Sequence, residues 1–198
     1  KRVIIIGYKK ELNLHYPIFN KTNLNFNIKD LFEDLPSLSD GEVNNNYKKS
    51  TNNCLKKLKI RNNTWNILTY NQARKVNNND KQIYKICIEN KNIKYNKLPE
   101  KLIKHNNKEC FSDRFKVVDY YKPCQTMVAH ISKDGHHYIH PDIKQCRSIT
   151  VREAARIQSF PDDYYFESSR TSAFKQIGNA VPVFMADQIA KKIEEALK

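Results

Sequence analysis

The sequence predicts a mixed α/β fold, and three patterns lead to this prediction. A β-branched run, Val3–Ile6, ends at Gly7 and is typical of a fully buried strand. Between residues 45 and 108, short segments of mixed polarity predict further strands separated by Asn- and Lys-rich turns. Near the C-terminus, apolar residues recur at helical spacing and predict an amphipathic helix, its stripe formed by Ala186, Ile189, Ala190, Ile193 and Leu197. We expect this helix to pack on the sheet that begins with Val3–Ile6.

Asparagine content divides the chain near residue 110. Residues 1–110 contain 22 asparagines, and residues 111–198 contain one, Asn179. Runs such as Asn44–Asn46 and Asn77–Asn79 predict polar loops in the first part. A length of 198 residues suits one domain, or one domain and a small second one. The sequence therefore predicts a polar, loop-rich part followed by a compact part.

The polar part carries three local signals. Asp30–Leu35 predicts one or two helical turns that Pro36 stops. Trp65–Tyr70 predicts a short strand. Gln82–Ile88 predicts another, because isoleucine and tyrosine alternate along it with other side chains.

The compact part carries stronger helix signals. Thr150 is a good N-cap, and Glu153, three residues later, completes a capping box. Together they predict a helix over Val151–Phe160 that Pro161 ends. Pro182 suits the first turn of the amphipathic helix that follows.

The charge balance favours a polyanionic partner. There are 35 Lys and Arg residues against 21 Asp and Glu, a formal net charge of +14. Nucleic acid is the usual partner of such a chain, and an anionic membrane surface is the competitor. Compositional bias that fills the surface with Lys and Asn is the alternative explanation. No segment approaches the roughly 18 apolar residues of a membrane span, so we expect no membrane partner.

Cysteine usage favours a reducing compartment. The five cysteines are widely spaced, and no two form a Cys-x-x-Cys pair. A disulfide framework is therefore not expected, and a cytoplasmic location fits better.

Two neighbouring motifs in the compact part are the most specific patterns of the chain. Arg147–Asp162 reads Arg-Ser-Ile-Thr-Val-Arg-Glu-Ala-Ala-Arg-Ile-Gln-Ser-Phe-Pro-Asp, and Gln176–Pro182 reads Gln-Ile-Gly-Asn-Ala-Val-Pro. In this order they resemble the last two sequence blocks of the DNA cytosine-5 methyltransferases. The run Arg2–Gly7 resembles the end of an earlier block of that family, in which Gln-x-Arg-x-Arg precedes an apolar strand and a glycine.

The resemblance implies a Rossmann-like S-adenosylmethionine-dependent methyltransferase domain that a target-recognition domain interrupts. Residues 1–40 are then the returning strand of the catalytic domain and the entry to the recognition domain. Residues 41–145 are the recognition domain, which we expect to be small, strand-rich and loop-rich. Residues 146–198 are the C-terminal helices that complete the catalytic domain. Weaker similarities mark the entry at Asp30–Glu42 and the exit at Phe111–Phe115 and Lys122–Pro141.

The resemblance also implies roles for single residues. Arg2 aligns with the arginine that reaches the flipped-out target cytosine, where a guanidinium can hydrogen-bond the ring oxygen. Gly178, Asn179 and Ala180 align with the block that lies against the amino-acid end of S-adenosylmethionine. Gly178 then allows an unusual backbone angle, and Asn179 at a helix start also suits an N-cap. Arg152 is implied to tie the recognition domain to the catalytic domain by hydrogen bonds.

The family's reaction needs features that this sequence lacks. They are a cysteine nucleophile in a Pro-Cys loop, a Glu-Asn-Val carboxylate beside the base and a glycine-rich donor loop. Pro123-Cys124-Gln125 follows the strand motif instead of preceding it, so we interpret Cys124 as non-catalytic. We expect the chain to be inactive alone and to need an N-terminal catalytic part. That part belongs either to a separate subunit of a split enzyme or to the same longer chain.

The implied substrate is double-stranded DNA with a flipped cytosine, in a restriction-modification system near the bacterial nucleoid. DNA contacts are expected within residues 45–108, where the sequence does not choose among the candidates Arg61, Trp65, Tyr70 and Arg74. Two other functions stay open. One is a DNA-binding remnant or regulatory module without catalysis, and the other is an RNA methyltransferase of the related transfer-RNA type.

A zinc site is not expected. His136, His137, His140 and Cys146 lie close in sequence, but they lack the paired spacings of structural zinc modules. Solvated histidines in a turn near DNA are the simpler interpretation.

Overall fold

The computed structural model describes residues 3–20, 24–91, 93–104, 114–133 and 135–198. Within these ranges the α-helices are α1 (Ile28–Phe32), α2 (Asn53–Lys57), α3 (Asn78–Glu89), α4 (Val151–Ile157), α5 (Arg170–Asn179) and α6 (Val183–Ala196). Short 3-10 helices span Lys10–Leu12, Tyr95–Lys97, Glu100–Leu102 and Ala129–Ser132. Pairing of β type in these ranges is confined to isolated bridges, at Val43–Gln72, Val117–Ile139 and Ile139–Ser148.

The described residues therefore give no support to a strand-rich recognition domain, and the strand predicted for Gln82–Ile88 is wrong. This segment lies inside α3, which begins after Asn77, whose side chain accepts a hydrogen bond from the Asp80 amide at 2.9 Å. The buried residues of α3 are Ile83, Tyr84 and Cys87, which lie on one helical face. Alternation over a short apolar segment fits a strand and a helix equally well, and the cap favours the helix. Trp65–Tyr70 is likewise irregular.

The predicted sheet around Val3–Ile6 is also not observed among the described residues. Val3 and Ile5 are 85% and 89% exposed, and the run has no β partner there. Helix α6 contains no buried residue, so its predicted packing on such a sheet is not observed either. A β-branched run becomes a strand only where neighbouring strands satisfy its backbone groups, and the described chain offers none.

Capping boxes fix the starts of α1 and α4. The Asn27 side chain and Asp30 cap α1, which begins two residues before the predicted Asp30. The predicted box of Thr150 and Glu153 caps α4, as the sequence indicates. Helix α4 ends at Ile157, earlier than the predicted Phe160, because Ser159 adopts a left-handed backbone angle of φ 54°.

The main hydrophobic core lies between α1, α2, α4 and α5. It draws residues from all three predicted regions, including Leu31, Leu55, Leu68, Val118, Ala154, Ala155, Phe166 and Ile177. A second core surrounds α3 and contains Ile83, Tyr84, Cys87, Tyr95, Leu98, Leu102, Phe115, Ile139 and Cys146. The division into residues 1–40, 41–145 and 146–198 stays a prediction.

Candidate functional site

Helix α4 places charged side chains inside the main core. Arg147, just before the helix, and Arg152 and Arg156 within it are among the largest fully buried side chains. Most residues of α4 are buried, so the helix is surrounded by protein rather than lying on the surface. Buried charges need partners, and each of these arginines has them.

Arg152 joins α4 to a distant loop. Its Nε donates to the Thr69 carbonyl at 3.1 Å, and its Nη2 donates to the Thr69 hydroxyl at 2.7 Å. Its Nη1 donates to the Pro161 carbonyl at 3.1 Å. The guanidinium also lies 5.6 Å from the centre of the Tyr70 ring. These bonds connect residues of the predicted recognition domain with the predicted catalytic part.

Arg156 is held between two buried carboxylates. It bonds Asp162 through Nε at 3.0 Å and Nη2 at 2.5 Å, and Asp34 through Nη1 at 2.5 Å. Its Nη1 also donates to the Leu31 carbonyl at 2.6 Å. Burial alone favours the neutral guanidine, but the bonds to Asp162 and Asp34 outweigh it and raise the pKa of Arg156 above its ordinary value. The bridge therefore fixes α1, α4 and the turn after α4 relative to one another.

Glu153 forms a second buried ion pair at the start of α4. Arg147 donates to its two oxygens at 2.7 and 2.8 Å, and the Thr150 amide donates at 2.7 Å. Burial opposes ionisation, but attraction to Arg147 and His140 and these hydrogen bonds lower the pKa of Glu153 to about 2. His140 lies 3.6 Å from the carboxylate, and burial lowers the pKa of His140 to about 4. The carboxylate is thus charged and the imidazole neutral at physiological pH.

The Gln-Ile-Gly-Asn-Ala-Val-Pro segment lies where α5 ends. Asn179 is the last residue of α5, and Pro182 is the N-cap of α6, so the suggested cap role of Asn179 is wrong. The Gln158 side chain donates to the carbonyls of Ile177 and Ala180 at 3.0 and 3.3 Å. This pair of bonds attaches the segment to the end of α4 and brings the two C-terminal motifs together.

Gly178 is required by packing instead of by its backbone angle, which is helical. A Cβ at Gly178 would lie 2.6 Å from the Val128 carbonyl oxygen and 2.7 Å from the Ala129 Cα. The segment at Val128–Ala129 begins the 3-10 helix that packs on α5. The predicted unusual backbone angle is therefore wrong, and the close approach of two elements explains the glycine.

Asn179 faces solvent beside this packed junction. Its side-chain amide makes no hydrogen bond to another described residue, so it is available to a polar ligand. Ala180 is partly buried, and its amide donates back to the Gln176 carbonyl at 3.1 Å. A rigid backbone with one exposed amide side chain suits the carboxylate or ammonium end of an amino-acid ligand. Arg2 lies outside the described residues.

Comparison with known proteins identifies the family. The family model for the C-5 cytosine-specific DNA methylases matches residues 1–195. The chain is 43% identical to the type II methyltransferase M.Bpa9945I of Bacillus paralicheniformis, with 100% of this chain and 47% of that protein covered.

The chain belongs to the C-5 cytosine-specific DNA methylase family. Another relative is the type II methyltransferase M.MthTI of Methanothermobacter thermautotrophicus, 28% identical over 100% of this chain and 52% of that protein. The crystal structure of a protein described as a prophage-encoded DNA modification methyltransferase of E. coli has a TM-score of 0.62 and 25% identity, over 96% of this chain and 53% of that one. This methylase-family chain thus resembles in fold the part of that DNA methyltransferase that it covers, and it spans about half the length of these relatives.

Cys124 of this methylase-family chain is poorly suited to nucleophilic attack. Burial raises the pKa of its thiol to about 12, so the thiolate is rare at neutral pH. This agrees with the interpretation of the Pro123-Cys124 pair as non-catalytic.

The histidines and cysteine considered for zinc have separate partners. His136 Nδ1 lies 2.7 Å from the Tyr84 hydroxyl, His140 lies beside Glu153, and the Cys146 thiol donates to the Lys81 carbonyl at 3.2 Å. Among the described residues, no three His, Cys, Asp or Glu side chains are grouped to hold a metal ion. Nor does any described helix combine the length and apolarity needed to cross a bilayer.

The four candidates for DNA contact differ in how far their side chains are exposed. Arg61 is buried, bonds Asp34 at 2.5 Å and lies 3.4 Å from the centre of the Tyr47 ring, so it is structural. The Tyr70 hydroxyl bonds the backbone of Phe166. Trp65 is half-buried and Arg74 is exposed, so Arg74 is the most accessible of the four candidates.

Sequence reasoning missed the buried network of Arg156, Arg147 and their carboxylates. One signal was present: Arg152 and Arg156 are four residues apart in a segment whose other members are mostly apolar. Two arginines on one face of an otherwise apolar helix predict buried partners, but not which carboxylates they are.

Proposed function

We propose that this protein is the C-terminal portion of a DNA cytosine-5 methyltransferase. It takes part in the transfer of a methyl group from S-adenosylmethionine to C5 of a cytosine in double-stranded DNA. The observation that carries the proposal is the joining of the two C-terminal motifs through Gln158, which places Asn179 at an ordered, solvent-facing corner. The names of the relatives, type II methyltransferases, support a role in restriction and modification. In this proposal the protein acts in the cytoplasm near DNA.

In this proposal Asn179, with the backbone at Gly178 and Ala180, forms one wall of the S-adenosylmethionine site. The bound sulfonium supplies the methyl group. Asn179 hydrogen-bonds the polar amino-acid end, while the packing of α5 on Val128–Ala129 keeps that wall in place. Arg2 contributes a guanidinium to the ring oxygen of the flipped cytosine and stabilises the charge that develops on the base.

In the same proposal, Arg152 links the two predicted domains by hydrogen bonds. Its three hydrogen bonds join residues 69 and 161, which belong to different predicted domains. A planar guanidinium with several donors suits this bridging position better than a lysine would.

The nucleophile and the remaining walls of the donor site come from an N-terminal catalytic part. The chain spans about half the length of its relatives, which leaves room for such a part in a whole enzyme. Its docking surface is the uncovered apolar surface formed by residues 3–19 and α6. Large apolar side chains exposed there are Val3, Ile4, Ile5, Leu12, Tyr16, Ile18, Phe19, Met185 and Leu197. Exposed apolar side chains in this number suit a protein interface.

Reconstitution tests the proposal. The chain is mixed with the N-terminal half of M.Bpa9945I, and transfer of labelled methyl groups to cytosine C5 of duplex DNA is measured. We expect no transfer by either part alone and transfer by the mixture.

The Asn179→Ala variant should raise the KM for S-adenosylmethionine at least about tenfold, which corresponds to about 1.4 kcal/mol of binding. Transfer by the chain alone would contradict the proposal. Absence of transfer by the mixture, with DNA binding retained, would favour a DNA-binding module without catalysis.

A further inference from the structure

A basic cleft lies beside the start of α5. It runs between the segment Gln72–Arg74, residues 131–133 and 135, and the start of α5, and its volume is about 220 Å³. Hydroxyl, amide and cationic side chains dominate its lining: Gln72, Arg74, Ser132, Lys133, Arg170 and Thr171. These side-chain types are the ones that contact phosphate oxygens in complexes with DNA.

Among the residues that the structure describes, no carboxylate pairs with the cations of this cleft, and Asp134 lies outside the described residues. Arg74, Lys133 and Arg170 are all exposed, and none forms a salt bridge with an acidic residue that the structure describes. The buried Arg156 differs, since it is paired with two carboxylates. Three cations that converge on one small cleft repel one another, and an anion bound between them relieves that repulsion. The amino end of α5, whose dipole also favours an anion, faces the same space.

Gly135 shapes the cleft by leaving room for Arg74. A Cβ built on Gly135 would collide with the Arg74 guanidinium, which therefore packs directly on the glycine backbone. The backbone of Gly135 lies outside the left-handed region, so alanine fits its φ angle. The residue at position 135 thus controls where the Arg74 side chain lies, and a substitution there leaves the charge of Arg74 unchanged.

We propose that this cleft binds a backbone phosphate of the target DNA through Arg74, Lys133 and Arg170. The inference rests on the proposed function, because duplex DNA is the polyanion that a DNA methyltransferase meets. It deepens that function by naming residues that position DNA without reading its sequence. Two of the three cations, Lys133 and Arg170, lie outside residues 45–108, where DNA contacts were predicted.

Salt-dependent binding of the full chain to a duplex of about 20 base pairs tests the proposal. Each lost phosphate contact reduces the slope of log K against log salt concentration by about 0.9. Arg74→Gln and Arg170→Gln should each do so, and should weaken binding equally for duplexes of different sequence. Lys191→Gln is the matched control, since it removes one positive charge from α6, where Lys191 pairs with Asp187 at 2.7 Å. It should leave the slope unchanged.

The Gly135→Ala variant tests whether the location of the Arg74 guanidinium matters apart from its charge. It keeps the net charge and displaces the Arg74 guanidinium, so it should weaken binding, but by less than Arg74→Gln, because the displaced guanidinium keeps its charge. Inorganic phosphate at millimolar concentration is the second probe. If phosphate competes with the duplex, and Arg74→Gln abolishes this competition, a phosphate group binds in the cleft.

The proposal is overturned if the chain does not bind the duplex. It is also overturned if Arg74→Gln and Arg170→Gln leave the slope unchanged, or if Lys191→Gln lowers it equally. Because methyl transfer is not measured here, failure of this test is distinct from failure of the reconstitution.

Discussion

Arg156 lies between Asp34 and Asp162 in the main core, and its bonds span more than a hundred residues of sequence. Removing one partner of such a cluster leaves the others charged and buried, which costs more than the pair contributes when intact. Arg156 therefore matters to folding instead of to ligand binding. Arg74 differs from Arg156 because it is exposed and pairs with no described carboxylate.

Replacing Arg156 should destabilise the protein strongly. We expect Arg156→Ala to lower the free energy of unfolding by about 3–5 kcal/mol, because Asp34 and Asp162 lose their shared cation. Urea unfolding followed by circular dichroism measures this. Lys191→Ala removes an exposed cation of α6 and should change the same free energy by less than about 0.5 kcal/mol. A loss below about 1 kcal/mol for Arg156→Ala would show that the bridge is not structural.

The buried His140 should make the protein less stable in mild acid. Its pKa is about 4 in the folded chain and about 6.5 when unfolded, so the unfolded chain binds the proton more tightly. The full contribution is present above pH 6.5 and is lost as the pH falls toward 4. Between pH 7 and pH 5 the loss should be about 2 kcal/mol.

Urea unfolding at these two pH values measures the effect, and His140→Gln provides the comparison. Glutamine does not titrate, so the variant should lose about 2 kcal/mol less than the unchanged protein over the same interval. Glu153 stays ionised down to a pKa of about 2 and does not contribute in this window. Equal pH dependence of the two proteins would rule out His140 as the source.

At the scale of elements, the contact between α5 and the 3-10 helix Ala129–Ser132 holds the C-terminal motif in place. Gly178 permits this contact because a side chain there would meet the Val128 and Ala129 backbone. Backbone atoms cannot rotate away as the end of a long side chain can, so the two elements would have to separate. The position of Asn179 depends on this packing.

Gly178→Ala should therefore destabilise the protein and disturb the proposed S-adenosylmethionine site. We expect a loss of about 1–3 kcal/mol in the free energy of unfolding, the usual range for overpacking. Thermal and urea unfolding measure it. Gly7→Ala is the matched control, because its Cβ would meet nothing within 4 Å. If the two variants unfold alike, the close approach at Gly178 is not what fixes the contact.

At the scale of the whole molecule, two surfaces of different character dominate. One is the apolar surface of residues 3–19 and α6, and the other is the basic cleft at Arg74 and Arg170. A net charge of +14 attracts DNA from a distance, but it does not decide where DNA lies. The exposed apolar side chains of the first surface suit a protein partner.

Ile5→Asp should disrupt the proposed interface without disturbing the chain itself. Because Ile5 is 89% exposed, we expect its free energy of unfolding to change by less than about 0.5 kcal/mol. Binding to the N-terminal half of M.Bpa9945I, measured by calorimetry, should weaken at least about tenfold. Ile67→Asp, at a 60% exposed position outside the apolar surface, should bind normally. Equal binding by the Ile5 variant would exclude this surface as the interface.

Local sequence determined the capping of α4, the amphipathic character of α6 and the two motifs that identify the family. Thr150 and Glu153 are three residues apart, so their capping box depends on little beyond their own backbone. Motifs are likewise read from consecutive residues. These features were predictable because the interactions that create them close over a few residues.

Features that depend on contacts between distant segments of the chain were decided only by the tertiary structure. Asp34 and Asp162 became the partners of Arg156, Gly178 became a packing position, and α3 formed where an alternating pattern had predicted a strand. The convergence of Arg74, Lys133 and Arg170 on one cleft belongs here too. A short sequence pattern fixes which side chains are available, but only the folded chain fixes which of them meet, because each meeting joins segments that are far apart along the sequence.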